Sequence, residues 1–329
     1  MDEVVIERRG ALGVLRLNRP QALNTLTVEM IATMHRALRN WAKDDSVAAV
    51  WLEGAGDKGL CAGADVRRLR DSVVTGTAEA RDFLLTEYAL NGYVATYPKP
   101  YVAWMDGIVM GGGLGLSAHG KLRLVTPRTR AAMPETIIGM FPDVGLLYEL
   151  SRAPGELGAH LALTGDSFTG ADAIALGIAD ALVEVESKAT IMARLAAGDV
   201  PDGTEFGDPP PSPLAAERGW IDQCYTGVDV AAILARLLRR PEPAAHAAAE
   251  AIGRRSPLAL AVTLAALRRA ATLPDVAAVL EQDAALVLDT VAAPDFAEGV
   301  RALLIDKDRD PRWAPLDGAR VADILAALN

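Results

Sequence analysis

The chain is poor in cysteine: among 329 residues only Cys61 and Cys224 carry a thiol. Two thiols cannot build a disulfide framework, which points to a reducing compartment and makes the cytoplasm the expected location. Basic charge is not in excess. The formal net charge is -10 and the pI about 5.0, so the basic stripe of a nucleic-acid binder is missing and no nucleic-acid partner is expected. Long apolar runs are missing too. The longest, about ten residues over 258–267, stops at Arg268-Arg269, well short of the roughly twenty that cross a bilayer, so no membrane partner is expected. The opening Met1-Asp2-Glu3-Val4 is acidic and runs straight into a strand pattern, unlike a secretory signal or a transit peptide. H-E-x-x-H, C-x-x-C and P-loop lysine patterns do not occur, so no metal site and no nucleotide cofactor are expected.

What is present is apolar residues at regular spacing. They make up 51% of the chain, enough for a substantial core in one large domain or two. Residues 4–7 and 14–17, separated by Arg9-Gly10, read as a hairpin, and 27–42 as a helix with Met30, Met34, Ala37 and Trp41 on its apolar face. A unit then recurs: a short apolar strand, a glycine-rich loop, a helix. It occurs over 47–52 with Gly54-Ala55-Gly56, then over 101–105 with Gly107 and Gly111-Gly112-Gly113, and a strand at 121–125 leads towards Glu135. Such alternation predicts an α/β fold with its ligand site among the loops at strand ends. Pro, Gly and acidic residues gather at 201–213, which predicts a linker there. It would join an α/β core over 1–200 to a helical C-terminal region over 214–329, where 230–238 and 258–270 show helical spacing.

Three motifs carry less than they suggest. Gly54-Ala55-Gly56-Asp57-Lys58-Gly59 satisfies G-x-G-x-x-G, but the loop through Asp65 delays the helix that would meet a pyrophosphate. Gly115-Leu116-Ser117-Ala118-His119 has His119 where a nucleophile elbow needs glycine, so His119 is better read as a partner of a helix C-terminus. In Asp306-Lys307-Asp308-Arg309-Asp310, Pro311 replaces the glycine on which a calcium loop turns, and a solvated turn fits better.

Two carboxyl groups stand in apolar surroundings soon after the triple glycine: Glu135, near Met133, Ile137 and Ile138, and Asp143, between Phe141 and Val144 with Pro142. Each has a structural explanation. Pro134 and Glu135 suit the first turn of a helix, and Asp143 suits a cap for one beginning near Val144. The loops at Ala62-Gly63 and Gly111-Gly112-Gly113 add to the picture, because glycine lets backbone N–H groups come close to a ligand. Two such donors aimed at one carbonyl oxygen form an oxyanion hole. Tight turns would account for either loop alone, whereas both loops followed by the two acids point to chemistry at an acyl carbon.

On these residues the chain resembles the crotonase (enoyl-CoA hydratase/isomerase) superfamily, and within it the hydrolases of short 3-hydroxyacyl-CoA thioesters. The resemblance is carried by residues 18–24, Cys61-Ala62-Gly63-Ala64-Asp65, Glu87-Tyr88, residues 110–117, Met133-Pro134-Glu135-Thr136, Phe141-Pro142-Asp143-Val144-Gly145 and a tail over 296–308. It implies an α/β, crotonase-like spiral of ββα units with a helical C-terminal region. The implied ligand is an acyl-CoA, with coenzyme A as part of the substrate and no separate cofactor, and relatives often assemble as homotrimers. Roles follow from the same resemblance. Glu135 and Asp143 match the catalytic acids, Ala62 and Gly112 the backbone donors of the oxyanion hole, and Glu87, Gly63 and Gly111 the substrate-binding positions. Arg19, Lys58 and Arg67 are candidates for the coenzyme A phosphates. Hydratases of the superfamily carry a second glutamate two positions after the last glycine, where this chain has Gly115. Adding water across a double bond uses a carboxylate pair, so thioester hydrolysis is the implied reaction. A hydratase or isomerase activity and a non-catalytic acyl-CoA-binding role are the alternatives. Gly63-Ala64 in place of two glycines, and Gly145-Leu146-Leu147 in place of three, imply a reshaped acyl pocket.

Overall fold

The computed structural model describes residues 2–328. The expected hairpin is there: β1 (Val4–Arg9) and β2 (Leu12–Leu17) pair antiparallel from Val4↔Leu17 to Arg9↔Leu12. From β2 onward the sheet is parallel. β3 (Ala49–Gly54), β5 (Tyr101–Met105), β7 (Leu122–Val125) and β10 (Ala181–Leu182) extend it in the order β1-β2-β3-β5-β7-β10. The strands β3 and β5 are buried along their length, which is why they read as apolar runs and not as alternating ones. Trp51 stacks on Trp104 with ring centroids 5.5 Å apart in a core that includes Leu12, Val14 and Leu124. Glu53, the one acid in β3, is buried against Arg16 at 2.6 Å, Lys188 at 2.7 Å and Trp51 Nε1 at 3.0 Å. Burial, the largest influence, pushes its proton affinity up, yet these three donors together hold it below the usual carboxylate range.

A second sheet, in the order β4-β6-β8-β9, is made of β4 (Gly59–Cys61), β6 (Ile108–Met110), β8 (Arg130–Ala132) and β9 (Phe168–Thr169). Each of its first three strands directly follows a strand of the first sheet and precedes a helix. The recurring unit read from the sequence is therefore a ββα unit. The helix at Val28–Ala42 starts where Thr27 Oγ1 accepts the Met30 N–H at 3.2 Å.

Contacts divide the chain into two units. The first has segments ending at Ala64, Ala131 and Ser212, the latter two beginning at Thr86 and Phe168. The second takes Asp65–Leu85, Ala132–Ser167 and the described chain from Pro213 onward. The expected boundary at 201–213 thus marks where the first unit ends, while two segments from within the first 200 residues join the second. Glycine shows why. Gly299, in the helix Pro294–Val300, lies so close to Ile138 that a Cβ on it would stand 2.5 Å from the Ile138 carbonyl carbon, a contact that chain order does not reveal. The stretch 201–213 is itself ordered, with a short helix at Gly203–Phe206 capped by Asp202 and Glu205. Beyond it the chain is mostly helical, including Pro257–Ala270, capped by Ser256, and Val276–Val291, capped by Asp275. Among the described residues no helix is long and apolar enough to cross a membrane.

Candidate active site

In the first unit β4 and β6 run parallel as neighbours and end at Cys61 and Met110. Their loops therefore emerge side by side. Gly63 adopts φ +97°, and a Cβ on it would stand 3.5 Å from the Gly112 nitrogen. Gly111 caps the helix Gly112–Ser117, its carbonyl taking the N–H groups of Leu114 at 2.8 Å and Gly115 at 3.2 Å. The Gly112 N–H is the first of that helix and has no acceptor within it. Glu87, on the helix Glu79–Ala95, is buried at 2% exposure and packs against Gly112: a Cβ there would meet Glu87 Oε1 at 2.2 Å. Gly63, Gly111, Gly112 and Glu87 are thus together.

Ala62 is not available for the role assigned to it. Its N–H donates to the Leu23 carbonyl at 3.0 Å. Leu23 and Asn24 both take left-handed backbone, at φ +52° and +55°, and Asn24 locks the turn. Its Oδ1 accepts the Arg19 N–H at 2.9 Å, and its Nδ2 donates to the carbonyls of Ala55 at 3.0 Å and Gly59 at 3.1 Å. Leu26 N–H then donates to the Gly63 carbonyl at 2.9 Å, and the Gly63 N–H meets Cys61 Sγ at 3.3 Å. The amide of this loop that no hydrogen bond engages, among the described residues, is that of Ala64. The amide left open in the first loop is therefore that of Ala64, two residues on from the position read in the sequence.

Two of the basic candidates are also committed. Arg19 donates to the Thr25 carbonyl at 2.7 Å and pairs with Glu3 at 3.2 Å, and Arg67 donates to the Leu304 carbonyl at 2.8 Å. Lys58 is exposed. Cys61 is buried, and burial pushes its thiol up to about 12, with the Glu87 charge adding to the effect and the Gly63 N–H opposing it. A thiol so protonated is a packing group and not a nucleophile. The acidic run near the C-terminus is built into ion pairs, with Asp306 and Asp308 on Arg301 at 2.6 and 2.7 Å.

The two acids lie in the second unit. After β8 the chain passes Pro134, which caps a 3-10 helix at Glu135–Ile138, and Glu135 is buried at 7% exposure in its first turn. Its carbonyl receives the Met140 N–H at 3.0 Å, and Gly139, at φ +75°, ends the helix against Asp295. Asp143, also buried, does not cap a helix beginning near Val144. The next helix starts at Leu147, and Asp143 instead opens a turn closed by Leu146 N–H on its carbonyl at 3.0 Å. Both central residues have positive φ, Val144 +53° and Gly145 +78°, as in a type I′ turn.

One further carboxyl meets this turn. Asp283, fully buried in the helix Val276–Val291, accepts the Gly145 N–H on Oδ2 at 2.8 Å. Burial above all, and then the Asp143 charge, push it well above the usual carboxylate range, while the Gly145 N–H pulls the other way. The sequence reading misses this residue. A signal existed: Asp283 falls on the buried stripe of Val279, Leu280, Leu286 and Val287, where an acid has no ordinary reason to be.

Comparison with known proteins follows this geometry. Residues 12–327 match the profile of the Enoyl-CoA hydratase/isomerase family. The chain is 38% identical to a mitochondrial 3-hydroxyisobutyryl-CoA hydrolase of Rattus norvegicus, covering 98% of this chain and 86% of that one. It is 36% identical to the protein of the same name from Homo sapiens, with the same coverage of each. Among solved structures, a carnitinyl-CoA dehydratase from Mycobacterium thermoresistibile matches with TM-score 0.94 and 46% identity, over 98% of this chain and 96% of that one. An enoyl-CoA hydratase from Rhodobacter sphaeroides 2.4.1 matches with TM-score 0.92 and 37% identity, over 99% and 97%. The expected α/β, crotonase-like fold with a helical C-terminal region is the fold of this chain.

Proposed function

The chain belongs to the enoyl-CoA hydratase/isomerase family, and we propose that it hydrolyses a short 3-hydroxyacyl-CoA thioester, 3-hydroxyisobutyryl-CoA, to the free acid and coenzyme A. One observation carries the choice of reaction: position 115 is a glycine inside the helix Gly112–Ser117, while position 135 is a buried acid. A hydratase needs a second carboxylate to flank its water, and Gly115 has no side chain to supply it. A hydrolase needs one acid and an oxyanion hole. The relatives named as hydrolases match over nearly the whole chain, which supports the same reading.

In this mechanism the N–H groups of Gly112 and Ala64 hold the thioester oxygen and stabilise the charge that develops on it. Glu135 either attacks the acyl carbon, giving a mixed anhydride, or takes a proton from the water that attacks. Asp143 supplies the proton to the departing sulfur, and Glu87, beside Gly112, lines the acyl pocket. A homotrimer and a cytoplasmic location complete the proposal, the latter supported by two cysteines that are buried and unpaired. Sedimentation and cell fractionation test them.

A second reading, dehydration or hydration at the acyl chain, is favoured by the 46%-identical structure that carries a dehydratase name. Thiol trapping across 3-hydroxyisobutyryl-CoA, other 3-hydroxyacyl-CoA and simple acyl-CoA thioesters, run beside an absorbance assay with crotonyl-CoA, separates the two. Thiol release without loss of the enoyl absorbance supports hydrolysis. Loss of the absorbance without thiol supports the second reading, and binding with neither leaves a non-catalytic acyl-CoA binder.

A further inference from the structure

A cavity of about 670 Å³ lies within the second unit, lined by residues 253–255 and by the tail residues 309–311 and Trp313. Small-molecule sites have volumes of roughly 300–1,000 Å³. Its wall carries more guanidinium than nearby acids neutralise. Arg255 is half-buried, and its Nε and Nη2 both donate to one acceptor, the Thr164 carbonyl at the end of the helix Leu157–Thr164, at 2.8 and 2.6 Å. A helix-end carbonyl offers only a partial charge. Among the described residues no carboxylate lies within salt-bridge distance of Arg255, and its Nη1 has no acceptor. Burial, the largest influence, lowers its hold on the proton; the Asp166 charge opposes this from farther off, and the Arg254 charge adds to it.

The second guanidinium comes from Asp306-Lys307-Asp308-Arg309-Asp310, the run that resembles a calcium loop. Its acids are drawn to another arginine. Arg301 takes Asp306 at 2.6 Å, Asp308 at 2.7 Å and the Asp310 carbonyl at 3.3 Å. Lys307 and Arg309 are left-handed, at φ +59° and +56°, and the Arg309 N–H is fixed on the Ala302 carbonyl at 3.0 Å. Strained backbone of this kind persists only where its surroundings hold it. The Arg309 side chain, left on the cavity wall, makes no hydrogen bond or ion pair among the described residues. Arg254 differs, being paired with Glu250, while its carbonyl accepts Trp313 Nε1 at 2.9 Å and so anchors the indole. Asp310 is the acid on this wall, beyond salt-bridge distance of Arg255 and Arg309. Ile137, Leu303 and Trp313 make part of the wall apolar.

We propose that this cavity binds a phosphate monoester of a small organic molecule, with Arg255 and Arg309 on the phosphate, Trp313 against the organic body and Asp310 accepting a ligand N–H or O–H. A phosphate monoester carries a charge of about -1.5 to -2 at pH 7, which answers two guanidiniums where a single carboxylate would answer one. Guanidinium also matches phosphate oxygens with paired donors. A bare inorganic ion would leave the apolar wall uncovered, so the ligand has a body. Coenzyme A carries such a monoester on its ribose, and so do free nucleotides and sugar phosphates. The ligand is therefore either part of the acyl-CoA or a separate molecule. Arg19 and Arg67, two of the phosphate candidates read from the sequence, are engaged elsewhere. The inference goes beyond the hydrolase reading and stands on the second unit alone.

Calorimetry on the full chain tests it, with coenzyme A, dephospho-coenzyme A, adenosine 3′-monophosphate and glycerol 3-phosphate as probes. Arg309→Gln keeps most of the side-chain length and removes the charge. At least one monoester is expected to bind the wild type and to lose about tenfold or more in affinity in Arg309→Gln, the scale of a hydrogen bond to a charged group. Phenylglyoxal labelling of the wild type, mapped by mass spectrometry, needs no variant. Arg309 should be modified in the free protein and protected by the same ester. If coenzyme A binds more tightly than dephospho-coenzyme A and Arg309→Gln closes that gap, the phosphate is the substrate's own. If the two bind alike and a smaller monoester carries the effect, the ligand is a separate molecule. The proposal is overturned if no monoester protects Arg309, or if the protecting ester binds Arg309→Gln as tightly as the wild type. Neither measurement involves thiol release, so failure of the hydrolase reading leaves the result standing.

Discussion

A Cβ placed on Gly112 would stand 2.2 Å from Oε1 of Glu87, so the bare backbone that presents the Gly112 amide and the buried carboxyl beside it occupy adjoining space with no room for a methyl group. Gly112→Ala must displace Glu87 and disturb the amide together. Its kcat/KM in the thiol-release assay is expected to fall by about a hundredfold or more, the scale of losing an oxyanion donor. Thermal unfolding should show that the variant still folds. A wild-type rate would remove both residues from the site.

The Ala62 and Ala64 amides have different partners, and a backbone ester tests each without adding bulk. Replacing the N–H of residue 64 by an ester oxygen is expected to lower kcat by roughly a hundred- to a thousandfold with little change in Tm. The same change at residue 62 removes the bond to the Leu23 carbonyl. It should cost about 1 kcal/mol of stability in a urea titration and leave kcat nearly intact. The reverse pattern would restore Ala62 as the donor.

Glu135→Gln retains the shape of a buried side chain in the first turn of its helix and removes the charge. Hydrolysis is expected to fall to background while binding of the thioester, followed by calorimetry, persists. A single turnover in heavy-oxygen water distinguishes the two routes: label found in the Glu135 carboxyl marks the anhydride, and label confined to the product acid marks an activated water.

Acid sensitivity should arise in part from a buried histidine. His160 is buried, with Nδ1 2.9 Å from the Tyr225 hydroxyl and its ring edge-on to Trp220 and Tyr225. Burial pushes it down to about 4, against smaller opposing pulls from Asp166 and Glu217. The unfolded chain, with its ordinary value of 6.5, therefore binds a proton first as pH falls. Stability that is full above 6.5 is lost progressively down to about 4, by roughly 3 kcal/mol at most. Urea midpoints measured across that window should decline in the wild type and decline less in His160→Phe. Equal slopes would show that His160 is not buried as a neutral ring.

Both thiols are expected to be silent in the native protein. Cys61 and Cys224 are buried, and burial raises both. Iodoacetamide at mildly alkaline pH should label neither until denaturant is added, so that thiol detected in the hydrolysis assay comes from coenzyme A. Rapid labelling of the native chain would contradict the burial described.

Features that depend on local spacing were legible in advance. The hairpin over β1 and β2, the helix Val28–Ala42, and the strand, loop and helix repeat all follow from period and turn chemistry within a few residues. The grouping of Gly63, Gly111 and Gly112 followed from two glycine loops at strand ends. The role of Asp143 as a helix cap did not hold, because the left-handed Val144 breaks a rule that local propensity would have enforced. Asp283 was hidden for a related reason: its partner lies 138 residues away, and no local pattern encodes that distance.

The sequence by itself determined the chemistry available: which positions are acids, where the backbone is bare, and that no carboxylate stands at 115. Only the tertiary structure decided how those groups are used, committing the Ala62 amide to Leu23, leaving that of Ala64, and setting Asp283 against the turn that carries Asp143. Every residue but proline brings a similar amide, and a carboxyl in water ionises at much the same pH wherever it stands in the chain. What distinguishes one from another is the partner and the burial that folding assigns, and these are set by segments far apart in the sequence.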